Sequence, residues 1–122
     1  MPKPSDPFHE FVHELLAGIG PVTIRRMFGG AGVFRDGVMF ALLADDQIYL
    51  KADAGLRADL LAEGGEPFLW TRPSDGRVMD LGYAGLPSAA LDDPDEACQW
   101  ARRALTVAHA ARAAKLPKRR RR

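Results

Sequence analysis

The sequence predicts an α+β fold, a two-layer sandwich of helices packed on one antiparallel sheet, in the order α-β-β-β-α-β-β-α. Three observations predict it. Apolar residues recur at helical spacing near each end of the chain and once in the middle. Short segments rich in apolar and β-branched residues lie between those stretches. Turns of a few residues, built from Asp and Gly, join most of the short segments, as in antiparallel hairpins.

Asp6-Pro7 reads as a helix start, with Asp as N-cap and Pro in the first turn. Phe8, Phe11, Val12, Leu15 and Leu16 then form one apolar stripe, which Gly18 and Gly20-Pro21 end. Residues 22–28 read as a strand interrupted by Gly29-Gly30-Ala31-Gly32, with an extended pattern resuming at Val33-Phe34-Arg35. Asp36-Gly37 is a two-residue hairpin signal, since a type I′ turn needs positive φ at both positions. The return strand, Val38 to Leu43, is apolar nearly throughout, as suits a strand covered on both faces or held in an interface. Asp45-Asp46 turns the chain into Gln47–Lys51, completing an antiparallel meander.

Asp53 caps a second helix, expected over 54–63, with Leu56, Leu60 and Leu61 on its inner face and Gly64-Gly65 after it. Residues 67–72 and 77–83 form a second hairpin around Pro73-Ser74-Asp75-Gly76. Asp93-Pro94-Asp95-Glu96 is an Asp version of a capping box. It opens a helix expected from about Pro94 to Ala114. Ala97, Ala101, Ala104, Leu105 and Ala108 share one face of that helix with a single large anchor, Trp100.

The 122 residues, with 47% hydrophobic and 27% charged content, fit one soluble domain with one core. We expect that domain over residues 1–114 and a basic, disordered tail over 115–122. The net charge of +1 hides an asymmetry. Six of the 17 Lys and Arg residues lie in 115–122, so the preceding part holds 11 basic against 16 acidic residues, a net of −5. A body of that sign is poorly suited to gripping phosphates over a broad face. The single cysteine, Cys98, excludes an internal disulfide and a paired-cysteine zinc site, and reads as a buried packing residue. The polar start of the chain carries no apolar signal-peptide core, and no apolar run reaches 18 residues. The expectation is a cytoplasmic protein of bacterial type.

The most distinctive run is Arg25-Arg26-Met27-Phe28-Gly29-Gly30-Ala31-Gly32-Val33-Phe34. It is followed by Asp36-Gly37-Val38-Met39-Phe40-Ala41-Leu42 and by Leu50-Lys51-Ala52-Asp53. With Glu66-Pro67-Phe68, Val78-Met79 and Asp93-Pro94-Asp95-Glu96 before a Trp-bearing helix, this ordered series resembles the N-terminal domain of the TfoX/Sxy competence-regulator family over about residues 8–112. The resemblance implies an α+β domain similar in fold to type III secretion chaperones. It also implies kinship with regulators that act with the cyclic-AMP receptor protein at competence promoters. The longer members carry a further helical domain, for which this sequence has no room, so a stand-alone N-terminal domain is expected. The resemblance supplies no catalytic residue.

The candidate sites are few. Gly29-Gly30-Ala31-Gly32 lacks the Lys-Ser/Thr of a phosphate loop and leads into a strand rather than a helix, so it reads as a bend between strands. Its backbone N–H groups still offer an anion contact, and Arg25, Arg26, Gly29 and Gly30 are together the candidate anion or partner contact. Alternation sends Arg25 and Arg26 to opposite faces, where one could pair with a carboxylate such as Asp80. His9-Glu10-Phe11-Val12-His13 matches the zincin spacing, but both histidines fall beside or outside the apolar stripe and the only other one is His109. They read as a solvated pair. Phe68, Trp70 and Tyr83 read as core residues, with an aromatic platform for bases as the alternative. Lys118, Arg119, Arg120, Arg121 and Arg122 form the candidate nucleic-acid tail, read equally well as a solubilising run.

These readings converge on a non-enzymatic regulatory or protein-interaction domain with no catalytic residues, metal or cofactor. Its partner is an unknown protein or a second copy making a homodimer through the Val38–Leu43 strand, with no membrane involved. The alternative is a nucleic-acid-associated protein that binds nonspecifically through its tail.

Overall fold

A computed structural model of the protein describes residues 6–27 and 29–115. Three α-helices, α1 (Pro7–Leu15), α2 (Ala54–Ala62) and α3 (Pro94–Lys115), accompany six strands. The strands are β1 (Thr23–Met27), β2 (Gly30–Arg35), β3 (Val38–Ala44), β4 (Gln47–Lys51), β5 (Pro67–Thr71) and β6 (Val78–Gly85). They form one sheet in the order β1-β2-β3-β4-β6-β5, and every neighbouring pair is antiparallel. The α+β class and the single antiparallel sheet are those read from the sequence.

One strand more is present than expected. The glycine run does not bend a strand; it reverses the chain. Met27 pairs with Gly30, and Gly29 sits at φ 79°, so the first expected strand becomes the hairpin β1–β2. Gly30 has no room for a side chain, because a Cβ there would run into the backbone oxygen of Leu43. Glycine is needed at these two positions for different reasons, the first conformational and the second steric.

The Asp caps appear where the sequence places them. Asp6 accepts from the N–H of Phe8 at 2.9 Å, and Asp53 from that of Leu56 at 2.9 Å. Asp93 accepts from the N–H groups of Asp95 and Glu96 at 3.1 and 3.2 Å. Each satisfies donors that the first helical turn leaves unpaired. Only half of the capping box forms, because Glu96 accepts from the indole N–H of Trp100 at 3.2 Å. The β2–β3 and β3–β4 turns place Asp36, Gly37, Asp45 and Asp46 all at positive φ, as two-residue hairpins require.

The core lies between one face of the sheet and the helices. Ala31, Val33, Ala41, Leu43, Ile48, Leu50 and Ala84 line that face, and Ala97, Ala101, Ala104 and Ala108 bring α3 close to β3 and β4. A bulge in β3, between the pairs Val33–Ala41 and Phe34–Met39, adds Phe40 to the buried set. Phe40 is fully buried and is the largest of the fully buried side chains, in the same core cluster as the alanines of α3. Trp100 is half-buried at the margin, with the Arg103 guanidinium 5.4 Å from its ring centre. Leu61, expected on the inner face of α2, is exposed, whereas Leu56 and Leu60 are buried. Cys98 is buried and its thiol reaches the carbonyl of Leu15 at 3.5 Å, joining α3 to α1.

Candidate interaction site

Residues directly opposite each other in an antiparallel pair share a face. The row Arg25–Gly32–Leu42–Tyr49–Gly85 therefore lies on the face away from the helices. Met39 belongs there too: a Cβ on Gly32 would meet the Met39 sulfur at 2.9 Å and the Met27 methyl at 3.0 Å. Trp70 pairs with Met79 across β5–β6, and the rings of Tyr49 and Phe68 lie 4.9 Å apart. Met27, Met39, Leu42, Tyr49, Phe68, Trp70 and Met79 are all half-buried, on the face away from the described helices. Leu81 beside them is 42% exposed.

β1 and β5 are the opposite edges of the sheet, yet they line one trough. Its walls come from Met27, Gly29 and Gly30 on one side and from Phe68, Trp70 and Leu81 on the other, with Leu42 and Ala44 between. The sheet is therefore curled toward closure without closing. Gly82, at φ 83°, kinks β6, and its N–H donates to Asp80 at 2.9 Å, which turns the β5–β6 hairpin inward. The trough holds about 470 Å³, within the range of ligand-sized clefts. Asp45 is the one ionisable side chain among its lining residues.

The two arginines go to opposite faces, as alternation requires. Arg26 points to the helix side and pairs with Asp6 at 3.4 Å, which also lies 3.7 Å from His9. Arg25 stays on the open face with its guanidinium 5.3 Å from the Phe34 ring centre, and it joins no ion pair among the described residues. Neither arginine takes Asp80, which pairs with Arg57 of α2 at 2.9 Å. Gly29 and Gly30 sit at the rim of the trough and also line a smaller cleft with Arg26, Asp6 and His9, so the structure brings Arg26 to the two glycines, whereas Arg25 lines neither cavity.

Phe68 and Trp70 are trough residues rather than core, whereas Tyr83 is buried and its burial raises its phenol pKa. Lys51 lies 5.2 Å from the Tyr83 ring centre, and burial, with the charge of Lys115, lowers its pKa. No group of three or more potential metal ligands occurs among the described residues. No described helix is long and apolar enough to cross a membrane. Lys118, Arg119, Arg120, Arg121 and Arg122 lie outside the described residues.

Fold and trough together define a small α+β domain whose single curled sheet is covered on one face and open on the other. The chain belongs to the family of the TfoX N-terminal domain, whose family model matches residues 14–108. That span holds every trough residue and ends at Ala108, the last buried residue of α3. A comparison with curated proteins found none that matches the chain.

Proposed function

We propose that this chain is a non-enzymatic regulatory domain, a stand-alone relative of competence regulators, that works by binding another protein in the cytoplasm. The open apolar trough carries this reading. The trough and the open face around it carry Met27, Met39, Met79, Tyr49, Phe68 and Trp70, which suit adaptable apolar contact, and Asp45 is the one ionisable side chain among the trough's lining residues. Such a surface offers binding energy without reactive chemistry.

A second reading rests on α3. Arg102, Arg112 and Lys115 are exposed on it, and Lys51 lies close enough to feel the charge of Lys115. In sequence this positive end runs on into Lys118–Arg122, which supports nonspecific nucleic-acid binding through the tail. Fluorescence anisotropy of a labelled DNA duplex, with the full chain and with residues 1–114 at low and physiological salt, separates the two. The protein-contact reading expects any binding to vanish with the tail and with salt. Binding retained by residues 1–114 at physiological salt would overturn it.

A further inference from the structure

We propose that the β1 edge, together with the trough beside it, takes an extended segment of a partner protein as an added strand. That segment would carry an acidic residue two positions from a large apolar one. This inference rests on the protein-contact reading above and names the class of partner.

Four observations carry it. β1 is an edge strand and pairs only with β2 among the described residues, so alternate residues turn their N–H and C=O groups outward. The other edge, β5, begins with Pro67, which has no N–H to offer, and its pairing with β6 is interrupted by a register shift between Pro67 and Leu69, which makes it the poorer template. The C-terminal end of β1 opens into the trough at Met27. Arg25 stands two residues before Met27 on the same face, exposed and in no ion pair among the described residues.

Side chains of an added strand alternate, so residues two apart face the same side. The residue opposite Met27 enters the trough, whose lining includes Met27, Leu42 and Trp70. The residue on that face opposite Arg25 meets a guanidinium that joins no ion pair among the described residues, which selects a carboxylate. Asp45 at the trough repels an acid placed there, so the order of the pair is fixed as well as its composition. The residue between them faces Arg26, whose charge already pairs with Asp6. A second copy is a poor occupant, because antiparallel pairing of two β1 strands sets the Arg25-Arg26 pairs of both copies close together.

The test is selection of a random heptapeptide phage library on the full chain. Selected peptides are then synthesised with a fluorescein label and titrated against wild type, Arg25→Glu and Leu42→Arg. The proposal expects enrichment of Asp or Glu two positions from Leu, Ile, Phe or Trp. Arg25→Glu should weaken binding on the order of tenfold at low salt and less at high salt. A Lys-for-Glu peptide should regain affinity on Arg25→Glu, which shows that this variant is folded. Leu42→Arg should abolish binding, and peptide addition should shift the β1 amide resonances. Peptides that lack the acid, ignore Arg25→Glu or shift only α3 amides would overturn this inference and leave the protein-contact reading standing. A chain that selects no peptide but sediments as a dimer dissociated by Leu42→Arg would also overturn it and make a second copy the occupant. A monomer that selects nothing would count against both.

Discussion

Two leucines on neighbouring strands separate the covered face from the open one. Leu50 of β4 is fully buried under the helices, and Leu42 of β3 is half-buried in the trough. Truncating Leu50 to Ala removes the transfer free energy of a buried side chain and leaves a cavity that the Ala-rich face of α3 cannot fill. Together these cost about 3–4 kcal/mol. Leu42→Ala loses roughly half of a transfer term of about 2 kcal/mol and leaves no closed cavity, since the trough already opens to water. Its cost is about 1 kcal/mol. At about 4–8 °C per kcal/mol for a domain near this size, Leu50→Ala should melt roughly 8–24 °C below Leu42→Ala. Urea unfolding followed by circular dichroism at fixed pH measures both, with equal m-values as the check on two-state behaviour. Equal costs for the two variants would refute the reasoning, since Leu42 would then be as tightly enclosed as Leu50 and the face would not be open.

Other expectations follow from single residues. The Gly82 N–H and then the Arg57 guanidinium hold the Asp80 carboxyl below its ordinary pKa of 3.8. Its contribution to stability is therefore present above that value and lost as pH falls through the lower, folded value. Urea midpoints between pH 2.5 and 6 should fall less steeply on acidification in Asp80→Asn, and an unchanged slope would contradict the assignment. Cys98 should react with Ellman's reagent in the native chain only as fast as the protein opens, and fully in urea; rapid native labelling would show that the α1–α3 seam is loose. Gly30→Ala must push back the Leu43 backbone, whereas Gly29→Ala meets no atom within 4 Å and pays only for its positive φ, about 1–2 kcal/mol. Gly30→Ala should therefore melt at the lower temperature, and the reverse order would refute the steric argument.

The elements were legible wherever a local rule decides them. Asp6, Asp53 and Asp93 cap helices because their short side chains reach the first-turn amides. Asp36-Gly37 and Asp45-Asp46 turn tightly because these residue types tolerate positive φ. The split of the first strand was harder, since four small residues in a row suit a bulge as well as a hairpin. Only the pairing of Met27 with Gly30 decides between them. The trough was not legible at all. Phe68 and Trp70 read as core because aromatic residues usually are core, and only the curl of the sheet brings them across from Met27. A signal was present in β3, whose Met39 and Leu42 make it apolar on the face away from the described helices. The placing of Arg25 and Arg26 on opposite faces followed from alternation, but their partners depended on tertiary approach: Asp6 for one and the Phe34 ring for the other.

The most direct test of an available β1 edge is amide hydrogen exchange, followed by NMR on the free chain near neutral pH. Alternate amides along Thr23–Met27 should exchange orders of magnitude faster than those of Phe40–Leu43 and Ile48–Leu50, which should open only with global unfolding. Uniform protection of all five β1 amides would mean that this edge is already covered, and would contradict its role as the docking strand.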